Sequence, residues 1–212
     1  MYKYVFKRWI DILISLLAMP FLIPVFLIVA PLIWINDPGP IFYNGPRLGY
    51  KGKVFKMYKF RSMRVNAPDI RNADGSTFNG DNDPRVTRIG RIIRKASIDE
   101  LPQFINVLKG DMSLIGPRAH LTTHFTGLEN LTKEERHRLK VKPGITGYNQ
   151  AYYRNSVSAE EKIKNDNYYV DHVSFVLDVK IFFATIDSVL RRKNIYVSEK
   201  KEETTEKAGV QQ

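Results

Sequence analysis

The feature that most constrains this chain is a long uncharged segment near its N-terminus. From Ile12 to Ile35 no residue carries a charge, and only Ser15 and three prolines interrupt the apolar side chains. As a helix the segment would reach about 36 Å, which exceeds the roughly 30 Å hydrocarbon core of a bilayer. It is too long for the apolar core of a signal peptide. We therefore expect a retained membrane segment, with a buried core helix as the alternative.

The prolines and the flanking charges predict that this helix does not simply cross the membrane. Pro20 and Pro24 lie in the middle of the segment, and each removes a backbone donor, so a kink is expected. Cations lie on both flanks: Lys3, Lys7 and Arg8 before the segment, and Arg47, Lys51, Lys53, Lys56 and Lys59 after it. Because cations favour the cytoplasmic side, we expect a re-entrant helix that enters and leaves by that face. A single crossing is the alternative.

The excess positive charge is concentrated in one part of the chain. The protein has 33 Lys+Arg against 22 Asp+Glu, a net charge of +11, and 13 of these cations but only 4 acids fall within residues 47–95. Such a balance indicates an anionic partner: nucleic acid, anionic lipid or a phosphorylated substrate. The position beside the membrane segment favours phospholipid headgroups over a merely solvated basic face. No nucleic-acid-binding motif accompanies the charge, so we do not expect nucleic acid as a partner.

Composition and breakers outline the organisation of the chain. Cysteine is absent, which excludes disulfides, thiol catalysis and cysteine metal sites. The breaker Asp37-Pro38-Gly39-Pro40 closes the membrane segment. We expect a membrane helix–break–helix over 1–36, a cytosolic domain over 37–196 and a disordered tail over 197–212. Within the domain the expected elements are short strands in 41–63 around the Gly45-Pro46 and Lys51-Gly52 turns, a polar loop over 66–84, and helices over 86–96, 98–109, 130–138 and 171–193.

The adjacent acids Asp99 and Glu100 are the strongest candidates for chemistry. One interpretation is structural, because Ser97 to Glu100 forms a Ser-x-x-Glu capping box at the start of a predicted helix. The other is catalytic: two carboxylates among arginines can hold a divalent cation and attack phosphorus. An aspartate, whose ordinary pKa is ~3.9, is ionised at neutral pH and needs no base to act as a nucleophile. The arginines recur every three residues and predict a phosphate-binding side of a helix: Arg85, Arg88, Arg91 and Arg94.

The remaining motifs do not indicate a metal site or a nucleotide-binding loop. His120 and His124 are four residues apart, but no third metal ligand follows at a convincing spacing. There is no Walker loop and no GxGxxG glycine run, so nucleotide hydrolysis and dinucleotide binding lack support.

Seven segments in order resemble the bacterial sugar transferase family, the monotopic phosphoglycosyl transferases. They are Lys7-Arg8 with Ile10-Asp11; Tyr58-Lys59-Phe60-Arg61-Ser62-Met63; Ser97-Ile98-Asp99-Glu100-Leu101-Pro102-Gln103; Asn106 to Ser113 with Ile115-Gly116-Pro117-Arg118; Lys142-Pro143-Gly144-Ile145-Thr146-Gly147; Asp166-Asn167-Tyr168-Tyr169; and Leu177-Asp178-Val179-Lys180. The resemblance runs from Lys7 to about Arg192, and the chain looks like the small form of the family.

The resemblance implies a fold and a reaction. The expected fold is α/β, mostly α, with a proline-broken re-entrant helix followed by a small cytosolic domain whose amphipathic helices lie at the interface. The expected place is the cytoplasmic face of the bacterial inner membrane. Members transfer a sugar 1-phosphate from a UDP-sugar to polyprenyl (undecaprenyl) phosphate, releasing UMP and starting glycan assembly. A UDP-sugar hydrolase and a non-catalytic, basic membrane-anchored binding protein are the alternatives. A homodimer is an open option.

The resemblance also assigns roles to residues. Asp99 would attack the β-phosphate and form a covalent phosphosugar–aspartate, and Glu100 would bind Mg²⁺. The expected substrate-binding residues are Lys59, Arg61, Arg94, Pro117, Arg118, Gln150, Arg154, Asp166 and Asp178. The chain departs from the family pattern at Ala119, where proline is frequent, and at Tyr152-Tyr153, where Asn-Gly is common. These departures leave the identity of the sugar open.

Overall fold

The protein is a mostly helical α/β structure that begins with one long apolar helix. The computed structural model describes residues 2–70, 78, 80, 82–122, 126–154 and 156–191, and at Tyr4 the backbone alone. The predicted tail over 197–212, part of the predicted 66–84 loop and His124 lie outside the described residues. The helices are α1 (Lys7–Asn36), α2 (Arg88–Lys95), α3 (Gln103–Lys109), α4 (Lys133–Arg138), α5 (Tyr148–Tyr152), α6 (Ala159–Asp171) and α7 (Phe175–Leu190). The strands are β1 (Phe42–Leu48), β2 (Val54–Phe60), β3 (Ser113–Ile115), β4 (His120–Leu121) and β5 (Gly144–Thr146).

α1 is a continuous helix of 30 residues that passes through Pro20, Pro24 and Pro31. The predicted break is therefore not present as an interruption of the helix. Each proline removes only one backbone hydrogen bond, and the turns between them keep theirs. The middle of the helix is exposed, with Phe21 at 77%. Among the described residues α1 is the helix whose length and hydropathy would allow it to cross a membrane.

The N-terminal end of α1 is held against α3 and β3. The Arg8 guanidinium donates to the carbonyl oxygens of Val107 at 2.5 Å and Leu108 at 3.0 Å. These carbonyls lie in the last turn of α3, where that of Val107 also accepts from the Gly110 N–H at 3.0 Å, and a cation at this end suits the helix dipole. The Asp11 carboxylate accepts a hydrogen bond from the Leu114 backbone N–H at 3.0 Å. Two charged side chains therefore fix where the apolar helix leaves the domain.

The C-terminal half of α1 packs on the same domain by apolar contact. Val29 and Ile33 form a buried cluster with Phe60 of β2 and Ile93 of α2. Between these residues and Ser15, no residue of α1 is buried. Both ends of the helix therefore contact the domain, while its middle does not enter the core.

β1 and β2 form an antiparallel hairpin, and the short β4 pairs with the other edge of β1. The predicted turn at Lys51-Gly52 is confirmed, whereas the predicted Gly45-Pro46 turn is wrong because both residues lie within β1. β4 pairs only with Arg47 and Leu48. Among the described residues Pro46 therefore pairs with a strand on one side only, and the missing N–H of proline is tolerated at such a position.

A second, two-stranded parallel sheet joins β3 to β5. Its backbones approach unusually closely: a Cβ on Gly144 would lie 2.1 Å from the Gly116 nitrogen, and one on Gly147 would lie 2.0 Å from the Gly116 oxygen. Only glycine fits at these positions. The close contact brings the segment after β3, with Pro117 and Arg118, beside the start of α5.

The predicted helices are largely confirmed, with shifted boundaries. α4 begins at a reciprocal capping box of Thr132 and Glu135, which the Thr-x-x-Glu pattern of the sequence favours. The predicted 98–109 helix is divided into a 3₁₀ turn, Ile98–Glu100, and α3. The predicted 171–193 helix begins only at Phe175, after α6, and Ser174 caps it.

The glycine contacts make a prediction about stability. Gly144→Ala should destabilise the fold by about 1–3 kcal/mol or more, because its methyl group would meet backbone atoms that cannot move aside. Thermal unfolding of the detergent-solubilised chain measures the effect. Gly127→Ala is the matched control, since the nearest atoms there belong to the exposed, flexible Glu129 side chain. Equal unfolding midpoints for the two variants would contradict the close packing of β3 on β5.

Candidate active site

Asp99 lies in the 3₁₀ turn between α2 and α3, and it is buried, with only 8% exposed. Ser97 before it has a left-handed backbone with φ of 56° and makes no capping hydrogen bond. The predicted Ser97–Glu100 capping box is therefore wrong, because α3 begins only at Gln103 and the turn is not the first turn of that helix. The two carboxylates are free for contacts elsewhere.

Glu100 is the centre of an ion-pair cluster. Its Oε1 accepts from Lys59 Nζ at 2.6 Å and from Arg118 Nη2 at 3.1 Å. Lys59 comes from β2 and Arg118 from the segment after β3, so one carboxylate joins three elements of the fold. The structure thus brings together three of the predicted site residues by direct contact.

The environments of the two acids move their pKa values apart. Burial raises the pKa of Asp99 to about 6, against the opposing charge of Lys59 and with the support of the negative charge on Glu100. For Glu100, burial acts in the same direction but is outweighed by Lys59 and Arg118, and its pKa falls to about 2. Glu100 is therefore a permanent anion at neutral pH. Asp99 is a mostly ionised carboxylate whose charge is poorly compensated.

Two further predicted cations lie near the acids. The charge of Arg94, in the last turn of α2, lowers the pKa of Asp99. The charge of Arg154 acts on Glu100, while partial burial lowers the pKa of its guanidinium. The predicted row of four arginines is wrong in one member, because Arg85 precedes α2 and is buried against Asp83.

Pro117 follows β3, and Gln150 lies in the first turn of α5, beside the contact between Gly116 and Gly147. Pro117 is buried, and its carbonyl accepts from the Gly144 N–H at 2.9 Å. The amide nitrogen and oxygen of Gln150 are buried and have no hydrogen-bond partner within the described part of the chain. An amide without partners is available to a ligand, which keeps the predicted binding role of Gln150 open.

The structure places three predicted substrate-binding residues in contacts away from the acidic pair. Arg61 is buried and pairs with Asp37, just after α1. Asp178 accepts hydrogen bonds from Lys7 Nζ at 2.6 Å, Tyr2 at 2.5 Å and Tyr169 at 2.8 Å. Both residues therefore tie α1 to the domain.

Asp166, the third, is buried in an ion pair with Arg138 and accepts from Asn149 Nδ2 at 2.6 Å. Arg138 also donates to the backbone carbonyl of Arg118 at 3.2 Å. Through Arg138, Asp166 helps to position the segment that carries Arg118.

Sequence reasoning missed two residues that support the site. Arg138 is one; the other is Asn106, which is fully buried in α3. Its Oδ1 accepts from the Tyr58 N–H and its Nδ2 donates to the Lys56 carbonyl, both at 2.8 Å. These bonds hold α3 against the strand that carries Lys59. The predicted helix gave no signal for Asn106, because the helical period places it on the side away from Leu101, Phe104, Ile105 and Leu108.

The carboxylates of the site fit a Mg²⁺ ion that substrate phosphates also bind, but they do not fit a Mg²⁺ site made of protein ligands alone. Within the described residues no group of three or more His, Asp or Glu side chains could hold a metal ion. Mg²⁺ is, however, commonly bound by one or two carboxylates together with substrate phosphates and water. Asp99 and Glu100 are adjacent and fit that kind of site, but not one made of protein ligands alone.

The comparison with known proteins decides the family. The family model for the bacterial sugar transferases matches residues 2–192. The chain belongs to the bacterial sugar transferase family. This confirms the resemblance seen in the seven sequence segments.

Relatives extend the comparison. The chain is 43% identical over 187 residues to a UDP-N-acetylgalactosamine-undecaprenyl-phosphate N-acetylgalactosaminephosphotransferase of Aeromonas hydrophila, covering 87% of this chain and 43% of the relative. It is 41% identical to the exopolysaccharide production protein PSS of Rhizobium leguminosarum bv. phaseoli, covering 89% of this chain and 96% of the relative. It is 40% identical to a UDP-glucose:undecaprenyl-phosphate glucose-1-phosphate transferase of Escherichia coli K12, covering 85% of this chain and 39% of the relative. The chain thus spans less than half of two of these relatives and nearly all of the third.

The raised pKa of Asp99 makes a prediction about stability. Its pKa of about 6 in the folded protein exceeds the ordinary value of 3.8, so the folded state loses stability as the pH rises from about 4 to above 6. Asp99→Asn removes this cost and should raise the free energy of unfolding at pH 8 by about 3 kcal/mol, with no gain near pH 4. Thermal unfolding at both pH values measures it.

Glu160→Gln, an exposed carboxylate at the start of α6, is the control and should show little change at either pH. A helix-capping role for Asp99 would instead produce no gain in stability at pH 8, since asparagine caps about as well as aspartate.

Proposed function

We propose that this protein transfers a sugar 1-phosphate from a UDP-sugar to polyprenyl phosphate, with undecaprenyl phosphate as the carrier, and releases UMP. The observation that carries the proposal is the pair Asp99–Glu100 surrounded by cations from four segments. Family membership and the named activities of the Aeromonas and Escherichia relatives support the same reaction. Such a transfer would begin the assembly of a glycan on its lipid carrier.

The charges of the site suit a diphosphate donor. Two carboxylates and four cations (Lys59, Arg94, Arg118 and Arg154) leave a surplus of two positive charges. Guanidinium groups bind phosphate oxygens through paired, charge-assisted hydrogen bonds. Because phosphoryl transfer is promoted mainly by positioning and charge stabilisation, such a cluster serves both binding and catalysis.

Asp99 is the proposed nucleophile. With a pKa of about 6 it is mostly ionised at neutral pH, and with few compensating hydrogen bonds it is reactive. A carboxylate oxygen of Asp99 forms a bond to the β-phosphorus of the donor, and the bond from that phosphorus to the bridging oxygen breaks, so that UMP leaves. A phosphate oxygen of the polyprenyl phosphate then attacks the same phosphorus, and the Asp99 carboxylate is released.

Glu100 has a supporting role in this scheme. Its low pKa keeps it charged, so that it holds Lys59 and Arg118 in place beside the reacting phosphate. Glu100 would hold Mg²⁺ together with the donor diphosphate. The bound ion would neutralise the diphosphate and stabilise the departing UMP.

The transfer chemistry is tested by UMP release from the full chain in detergent with Mg²⁺. A panel of UDP-sugars is assayed with and without undecaprenyl phosphate. We expect multiple turnovers only with the lipid, and loss of at least about 10³-fold in Asp99→Asn, since the nucleophile is removed. Intact mass measurement with donor alone should show a phosphosugar adduct in the wild type and none in Asp99→Asn.

Glu160→Gln is the matched control and should retain full activity. Sustained UMP release without the lipid would indicate a hydrolase. No release from any donor by folded protein would favour the non-catalytic binding protein and contradict the proposal.

We further propose that α1 is re-entrant and that the domain lies on the cytoplasmic face of the bacterial inner membrane. A helix of 30 residues is about 45 Å long. Arg8 and Asp11 at one end and Ile33 at the other contact the same domain, which favours a bend over a crossing. Proline within a continuous helix is the usual cause of such a bend.

α7 supports attachment at the membrane surface. Its exposed side chains include large apolar groups: Phe175, Val176, Phe182, Phe183, Ile186 and Leu190. An exposed apolar surface of this size on a soluble protein is unusual. It suits a helix lying in the headgroup region beside α1.

Cysteine labelling tests the topology, because the chain has no cysteine of its own. Val5→Cys and Tyr43→Cys place exposed thiols on either side of α1. A membrane-impermeant maleimide should label neither site in intact cells and both after permeabilisation. Labelling of one site alone in intact cells would indicate a single crossing.

A further inference from the structure

A second polar feature lies where α1 ends. A cleft of about 610 Å³ is lined by Asn36 and Asp37 at the end of α1, by the chain before α2 and by the first turns of α2. Its volume falls in the range of small-ligand sites. The transfer scheme above makes no use of it.

The acids of the cleft are already neutralised. Asp37 pairs with Arg61 and accepts from the Val65 N–H at 3.0 Å. Asp83 pairs with Arg85, whose Nη2 lies 2.7 Å from its Oδ2. Neither carboxylate is therefore available to compensate the other cations of the cleft.

Three arginines of the cleft have no compensating acid among the described residues. Arg64, Arg88 and Arg91 line it and are exposed. Among the described residues no hydrogen bond or ion pair engages their guanidinium groups. The described part of the cleft thus presents three arginines to solvent and no free acid, which is the composition of a phosphate-binding site.

The cleft lies beside the lipid-facing part of the protein. Trp34, two residues before the cleft residue Asn36, is 56% exposed. Ile92, which follows the cleft residue Arg91 in α2, is 62% exposed. The opposite face of α2 packs through Ile93 on the apolar cluster with Val29 of α1. An exposed isoleucine beside arginines is typical of a helix at the headgroup level.

We propose that this cleft binds the phosphate group of an anionic membrane phospholipid. Apolar surface next to the cleft accommodates the start of the acyl chains, and the three guanidinium groups bind the headgroup phosphate. The inference relies on the proposed membrane position of α1 but not on the transfer chemistry. The lipid would act as an anchor that sets the height of the domain on the membrane.

Native mass spectrometry of the full chain in a neutral detergent tests the proposal. The probes are phosphatidylglycerol, phosphatidylcholine as the lipid without net charge, and inorganic phosphate as the soluble competitor. The wild type should retain one phosphatidylglycerol in preference to phosphatidylcholine. The triple variant R64Q/R88Q/R91Q should bind phosphatidylglycerol at least about tenfold more weakly, because three cations at the headgroup are lost.

The matched control is K133Q/R136Q/K164Q, which removes the same charge from exposed positions on α4 and α6. It should bind phosphatidylglycerol as the wild type does. Equal losses in both triple variants, or unchanged binding in R64Q/R88Q/R91Q, would overturn the proposal. Displacement of the lipid by millimolar inorganic phosphate would assign the cleft to soluble phosphate and overturn the lipid assignment.

Two features keep the test decisive. The three guanidinium groups make no ion pair or hydrogen bond with the described residues, so the unfolding midpoint of R64Q/R88Q/R91Q should match that of the wild type. Because lipid binding is read directly, a failure of the transferase proposal leaves this measurement intact.

Discussion

The ion pairs of Glu100 with Lys59 and Arg118 hold the candidate active site together. They join β2, the turn before α3 and the segment after β3. A carboxylate with two cationic partners is well compensated, whereas removing it would leave two cations close together without an anion. Two further side chains support these ion pairs. Asn106 binds the backbone of the strand that carries Lys59, and Arg138 binds the backbone carbonyl of Arg118.

This arrangement leaves the charge of Asp99 poorly compensated. Its neighbour takes the closest cations, so burial raises the pKa of Asp99 while that of Glu100 falls. Two adjacent carboxylates with such different environments can perform different tasks. A buried acid with few partners destabilises the fold, and it persists where function requires a reactive group. The proposed nucleophile is thus the less well compensated of the two carboxylates.

The attachment of α1 links the membrane to the site. Arg8 binds the end of α3, and the C-terminal half of α1 packs on β2 and α2. These are the elements that flank Asp99 and Glu100, so in the proposed topology the depth of α1 in the bilayer would set how far the acids lie from the lipid surface. In the proposed reaction a soluble donor and a lipid acceptor would arrive from different phases, and a two-step transfer through Asp99 would let them react in turn.

The sequence by itself determined the apolar helix, the family, the acidic pair and most helices, because these depend on local composition and spacing. The uncharged run, the Thr132 cap and the Lys51-Gly52 turn are all local signals. Only the tertiary structure decided that Ser97 does not cap a helix, that Arg61 and Asp178 hold α1, and that Glu100 shares Lys59 and Arg118. Ion-pair partners far apart in the chain are selected by packing, which no local pattern encodes. The same holds for the cleft of Arg64, Arg88 and Arg91, where Asp37 and Asp83 pair with Arg61 and Arg85 instead.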